Sequence, residues 1–259
     1  MPVAADIYYF HSKSGGGDSL PIVLIHGAGG THLHWPSDIR RLPELRVYAV
    51  DLPGHGKSGQ IGQQSIDAYT NSILAWMEAI KLHRAAFVGH SMGGAIALTL
   101  AKRNAEYVLG LGLISTGARL RVNPAIMENV VNPQIFPNVV SFIISKSFSK
   151  HAHPRLVELA TKRMYETRPS VLYGDFIACD NFNMMGALAT IQTPTLIICG
   201  QNDEMTPLRY SQYLKDHIKD SKIVVIPDTG HMVMMEKHQV ISKALGEFFS
   251  KIRFQPGKI

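Results

Sequence analysis

The chain has 259 residues, 46% of them hydrophobic and 18% charged, with a formal net charge of +6. That length sits at the upper end of what one core supports and favours one domain carrying an insertion over two equal domains. The positive charge comes without a basic run of five or more residues and no apolar run nears the roughly 18 residues of a membrane span, so neither nucleic acid nor a membrane is an expected partner.

Residues 7–10 and 21–26 read as strands around the turn-rich run Ser14-Gly15-Gly16-Gly17-Asp18-Ser19, which predicts a starting hairpin. The second strand, apolar throughout, suits a parallel sheet buried on both faces. It runs into His26-Gly27-Ala28-Gly29-Gly30-Thr31, which lacks the Gly-Lys-Ser/Thr ending of a phosphate loop. A helix is expected around 35–42 and a strand over 46–50, closing in Asp51-Leu52-Pro53-Gly54-His55-Gly56-Lys57-Ser58. Ile66, Tyr69, Ile73, Met77 and Ile80 recur at helical spacing and predict a helix over 65–80.

The apolar run 86–89 then breaks abruptly into Gly89-His90-Ser91-Met92-Gly93, followed by a helix over 92–103. Gly-X-Ser-X-Gly between strand and helix is a nucleophile-elbow pattern. A serine hydroxyl needs a base to take its proton, and a sharp turn holds it clear of the backbone. Chain segments then pass close on either side, which asks for glycine two residues before and two after. The helix that follows sets its free amides and positive end beside Ser91, where an oxyanion would form.

A strand over 108–114 completes a βα rhythm that implies a doubly wound, mostly parallel α/β sheet. The rhythm stops for residues 117–187, too long for an ordinary loop, and this segment is expected to be an inserted helical cap on a core of 1–116 and 188–259. Helices are predicted there over 139–144 and 154–166, with aromatic and methionine side chains suited to an apolar roof. Strands resume at 194–200 and 222–226, each followed by a polar loop. The first loop carries Gln201-Asn202-Asp203-Glu204 and then Thr206-Pro207, read as the cap and first position of a helix; the second carries Pro227-Asp228-Thr229-Gly230-His231. Ile241, Ala244, Leu245, Phe248 and Ile252 mark one face of a final helix.

Ser91, Asp203 and His231 thus each follow a strand, and parallel strands bring their loops to one sheet edge. His231 is the expected base and Asp203 the group that orients it. The backbone amides of Ala28 and Met92 are the expected oxyanion donors. Asp228, three residues before His231, fits better as a loop-fixing residue than as the acid. Trp35, Phe142, Met184 and Met232 are candidate substrate-pocket residues. His32-X-His34 and His151-X-His153 each lack a third metal ligand and read as exposed histidines, so no metal and no cofactor is expected. Asp51, His55 and His90 read as structural.

With these motifs in view, the chain resembles the α/β-hydrolase superfamily. It matches, in order, the His-Gly-X-Gly loop, the Asp-X-X-Gly-X-Gly-X-Ser loop, the Gly-His-Ser-Met-Gly-Gly elbow, the Gly-X-X-Asp loop and the Gly-His loop. It is most similar to small bacterial carboxylesterases with a helical lid. That resemblance implies hydrolysis of small to medium carboxylic esters through an acyl-enzyme, with a small-molecule ester as the partner. Lactonase or carbon–carbon hydrolase activity with the same three residues, or a ligand receptor that keeps the fold, are the alternatives. Serine at position 91 argues against dehalogenases and epoxide hydrolases, which place aspartate there. Cys179 and Cys199 form no CxxC pair. With no signal peptide visible, they suit a reducing cytoplasm, although a processed secreted form fits the cysteines equally well.

Overall fold

The computed structural model describes residues 2–255 apart from Lys13, Gly17 and Gln60. Gly17, part of the turn-rich run noted above, therefore lies outside the described residues. Eight strands, β1 (Val3–Ala4), β2 (Ile7–Ser12), β3 (Pro21–Ile25), β4 (Arg46–Val50), β5 (Ala85–His90), β6 (Val108–Ile114), β7 (Thr195–Gly200) and β8 (Ser221–Ile226), form one sheet in the order β1-β2-β4-β3-β5-β6-β7-β8. The β1–β2 and β2–β4 pairings are antiparallel and all others are parallel.

The helices are α1 (Ser37–Arg40), α2 (Ile66–Ala79), α3 (Met92–Arg103), α4 (Pro124–Asn129), α5 (Phe136–Ser147), α6 (Pro154–Glu166), α7 (Pro169–Asn181), α8 (Leu208–His217), α9 (Val233–Glu236) and α10 (His238–Phe249). Strand side chains alternate between two apolar clusters, one on each face of the sheet. Val23, Ile25, Phe87 and Ile197 pack with Ile73, Trp76, Ile96 and Leu214, while Ile22, Leu24, Val88 and Ile198 pack with Ile39, Ile241, Leu245 and Phe249. Period-two alternation with both faces buried is why these strands read as unbroken apolar runs.

The predicted hairpin between residues 7–10 and 21–26 does not form. β2 pairs with β4, and β3 sits on the far side of β4, between it and β5. The true hairpin joins β1 to β2 through Ala5 (φ 44°) and Asp6 (φ 61°). Two successive positive φ values give the turn whose twist matches antiparallel strands. The helix expected around 35–42 is shorter, a 3-10 turn over His32–His34 followed by α1. Ser65 caps α2 by accepting the Ala68 N–H, a contact contributing about 1 kcal/mol.

Helices α4 to α7 fall between β6 and β7, inside the segment expected to form a cap. Two of them, α4 and α7, had no periodic signal. α4 has six residues, and α7 buries Val171, Leu172, Gly174, Asp175, Phe176, Ala178 and Cys179 almost all the way round, which erases the amphipathic stripe. Proline at the first or second position of all four was the usable clue.

Candidate active site

Ser91 stands at the junction of β5 and α3 with φ 52° and ψ −116°. A non-glycine residue held there is strained by on the order of 1–3 kcal/mol and needs its surroundings to fix it. Its N–H donates to the Ile114 carbonyl at 2.9 Å, and its own carbonyl accepts from Thr116 Oγ1 at 2.8 Å and from the Gly94 N–H at 2.9 Å. Any side chain at Gly89 would collide with the Gly93 carbonyl, and one at Gly93 with the Ile25 carbonyl. Both elbow glycines are therefore required by close backbone approach.

His231 follows β8 and Asp203 follows β7. His231 Nδ1 lies 2.9 Å from Asp203 Oδ2 and 3.1 Å from Oδ1, with both side chains almost completely buried. The carboxylate can only accept, so Nδ1 carries the proton and Nε2 is left as the basic nitrogen. Burial opposes the Asp203 charge, but His231 and the Thr206 donors outweigh it and hold the carboxyl below its ordinary range. Thr206 was expected to cap a helix. Instead α8 begins at Leu208, and the Thr206 hydroxyl donates to Asp203 Oδ2 at 2.9 Å while its N–H donates to Oδ1 at 2.8 Å. Asp228, by contrast, is exposed, with His151 Nε2 4.0 Å from its carboxylate.

Ala28 lines the same cavity as Ser91, and Met92 follows Ser91 at the start of α3. Among the described residues, neither the Ala28 nor the Met92 N–H donates within the chain. The Ala28 loop is shaped by His26, whose Nε2 accepts the Leu52 N–H at 3.0 Å and whose Nδ1 therefore donates to the Gly27 carbonyl at 2.8 Å. Burial, then the nearby His55, push the His26 pKa well down. Burial and neighbouring His231 do the same to His90, whose Nε2 donates to the His231 carbonyl at 3.1 Å.

Ser91, Ala28, His90 and His231 form the floor of a cavity of about 90 Å³. Ile143, Ile144 and Phe148 from the α5 region, Ala160 and Met164 from α6, and Phe176 from α7 roof it, and Met232 closes one wall. Three of the four expected pocket residues lie elsewhere. Trp35 is fully buried in the core cluster under the sheet face. Phe142 is 44% exposed, because the helical turn that points Ile143 and Ile144 inward points it to solvent. Met184 lines a separate groove with Ile66 and Phe182.

His32 and His34 are buried, contrary to the expectation of exposure, whereas His151 and His153 are exposed. The His32 N–H and Nδ1 both reach Asp51 Oδ1, at 2.6 and 2.8 Å, which anchors the 3-10 turn to the loop after β4. His34 lines the cavity, and burial lowers its pKa to about 4. Among the described residues no three His, Cys, Asp or Glu side chains come together as a metal site, and no helix is long and apolar enough to cross a membrane. Cys179 and Cys199 are both free and buried, and burial raises both thiols above their ordinary pKa.

A family model described as the alpha/beta hydrolase fold matches residues 21–238. The chain belongs to the α/β-hydrolase family. The dihydrolipoyllysine-residue acetyltransferase component of the acetoin cleaving system of Pseudomonas putida is 28% identical to this hydrolase over 92% of its chain, which spans 65% of that relative's length. Pimeloyl-[acyl-carrier protein] methyl ester esterase of Neisseria meningitidis is 27% identical over 88% of this hydrolase and 92% of its own length. A thermophilic esterase of solved structure is 32% identical with a TM-score of 0.82, covering 96% of this hydrolase and 94% of that chain.

Beyond the expected residues, this hydrolase carries contacts that no local motif announces. Glu236 accepts the Gly230 N–H at 2.9 Å and the Ser149 hydroxyl at 2.6 Å, and the Ser147 carbonyl accepts the Met232 N–H at 2.9 Å. The His231 loop is thereby tied to the end of α5. His55 and Asp175 form a buried pair, Nε2 to Oδ2 at 2.8 Å. Burial disfavours the His55 charge, but the Asp175 carboxylate and the Pro53 carbonyl more than compensate and raise its pKa above 6.5. A raised folded-state value means the pair's stabilisation is fully present below about pH 6.5 and is lost as pH rises through the folded-state pKa. His55→Gln should therefore lower Tm most at pH 6, with the gap to the unmutated protein narrowing towards pH 9. Thermal melts across that range check it, and a constant gap would contradict it.

Proposed function

We propose that this hydrolase cleaves carboxylic esters of small to medium size through an acyl-enzyme formed on Ser91. The observation that carries the reading is the buried Asp203–His231 hydrogen bond at 2.9 Å opening on the cavity that also holds the strained Ser91. His231 Nε2 takes the Ser91 Oγ proton as Oγ attacks the ester carbonyl carbon. The displaced carbonyl electron pair rests on oxygen, facing the unused Ala28 and Met92 N–H groups. Collapse breaks the bond to the alkoxide, which leaves with the proton from His231. Water, deprotonated by His231, then attacks the acyl carbon and releases the acid and Ser91. The esterase names of two relatives support an ester over other acyl substrates, and residues 117–187 are read as the lid.

A serine-directed fluorophosphonate tests this reading. Its mass should appear on Ser91 alone, and labelling scattered over several serines, or absent from Ser91, would end it. Repeated product release per molecule then separates catalysis from ligand binding.

The apolar roof is expected to set acyl-chain preference. Ile144→Ala should raise the rate on long p-nitrophenyl esters relative to short ones by about tenfold, the scale of a methylene or two in an apolar pocket. Phe142→Ala, two positions earlier but facing solvent, should leave the ratio unchanged. A uniform loss on all chain lengths in Ile144→Ala would mark it as packing only.

A further inference from the structure

Gly29, directly after Ala28, adopts φ 64°, and residues of the helical insert hold both of its polar backbone groups. Its N–H donates to Asp175 Oδ2 at 2.8 Å, and its carbonyl accepts from Thr167 Oγ1 at 3.0 Å. Asp175 is completely buried on α7 and also accepts from His55 Nε2 at 2.8 Å and from the Tyr69 hydroxyl at 2.5 Å. His55 Nδ1 lies 3.0 Å from the Pro53 carbonyl, which can only accept. Both ring nitrogens therefore donate, and His55 is an imidazolium facing a carboxylate.

A buried ion pair is poor evidence of a stability device, since apolar replacements of such pairs are often neutral or better. Here, among the described residues, the carboxylate's one backbone partner is the Gly29 N–H, in the loop that carries Ala28. Mispositioning a reacting group by about 1 Å can cost on the order of a hundredfold in rate. Resting on the oxyanion role given to Ala28 above, we propose that Asp175 is a positioning residue supplied by the insert: with Thr167 it locks the peptide groups on either side of Gly29 and so aims the Ala28 N–H at the substrate oxygen. The insert is then part of the catalytic geometry as well as the roof of the pocket.

The test compares Asp175→Ala, Thr167→Val and Tyr69→Phe in the full chain, using p-nitrophenyl butyrate for turnover and an aliphatic trifluoromethyl ketone whose serine adduct carries an oxyanion. Asp175→Ala and Thr167→Val should lower kcat about 10- to 100-fold with KM within about threefold, and weaken the ketone in parallel with kcat/KM. Tyr69→Phe removes a bond to the same carboxylate without touching Gly29, and should change kcat and ketone affinity less than about threefold. Because Asp175→Ala strips His55 of its counter-ion and can unfold the chain, Thr167→Val decides the matter in that event. Folded variants that keep kcat and ketone affinity would overturn the proposal. So would losses in all three variants that simply follow Tm. If the unmutated protein neither turns over the ester nor forms a Ser91 adduct, the esterase reading itself fails and the proposal falls with it.

Discussion

Ser91→Ala is expected to lower kcat on a p-nitrophenyl ester by about 10⁶, the scale seen when the nucleophile of a serine hydrolase is removed. The loss should be confined to turnover. The cavity beside Ser91 is roofed by apolar side chains that the substitution leaves alone, so a non-hydrolysable ester analogue should bind within a fewfold of the unmutated protein. Alanine also suffers at φ 52°, so the backbone strain at the elbow persists and Tm should hardly change. Residual catalysis above the uncatalysed rate would come from the Ala28 and Met92 amides together with substrate positioning. Stopped-flow measurement of the acylation burst, with binding followed separately, checks both halves. Retention of more than about a hundredth of the activity would remove Ser91 from the chemistry.

Asp203→Asn should fold normally and lose on the order of 10³ to 10⁴ in kcat. The carboxylate accepts from His231 Nδ1 and, on the proposed mechanism, would lie beside the imidazolium formed as Ser91 attacks. An amide supplies no charge, and its NH₂ group turned towards Nδ1 would favour the opposite tautomer, with the proton on Nε2. The Met205 and Thr206 N–H groups, which both donate to Oδ1, would hold the amide oxygen there and keep the side chain in place, so KM should move little. Asp228→Asn is the matched control. Its residue is exposed and sits at φ 54°, a conformation asparagine tolerates as well as aspartate, so activity and Tm should both stay near those of the unmutated protein. Steady-state kinetics on the two variants decides between them. An active Asp203→Asn beside an inactive Asp228→Asn would reassign the acid and leave Ser91 and His231 in their roles.

Much of this molecule was legible from local pattern. Apolar runs located the parallel strands, and helical periodicity marked α2, α6 and α10. The glycines around Ser91 revealed the elbow, because close backbone approach leaves glycine as the one residue that fits. The positions of Asp203 and His231 after their strands implied a shared sheet edge, since parallel strands end on the same side.

What stayed hidden depends on where distant segments meet. Residues 7–10 look ready to pair with the next strand, yet β2 pairs with β4, because partner choice rests on packing across the whole sheet. Helix α7 carries no stripe because it is buried on nearly every side. His32 looks like a surface residue until it meets Asp51 in the loop after β4, and His34 until the cavity walls enclose it. The inward turn of Ile144 and the outward turn of Phe142 are set by how α5 docks. Asp175 is separated from Gly29 by 146 positions, and nothing local to either residue announces the bond between them. The sequence by itself determined the strands, the elbow and the order of the candidate groups, because those follow from short-range sterics and periodicity. The tertiary structure alone decided which buried polar groups meet, because a hydrogen bond across the insert exists only once the helices have packed.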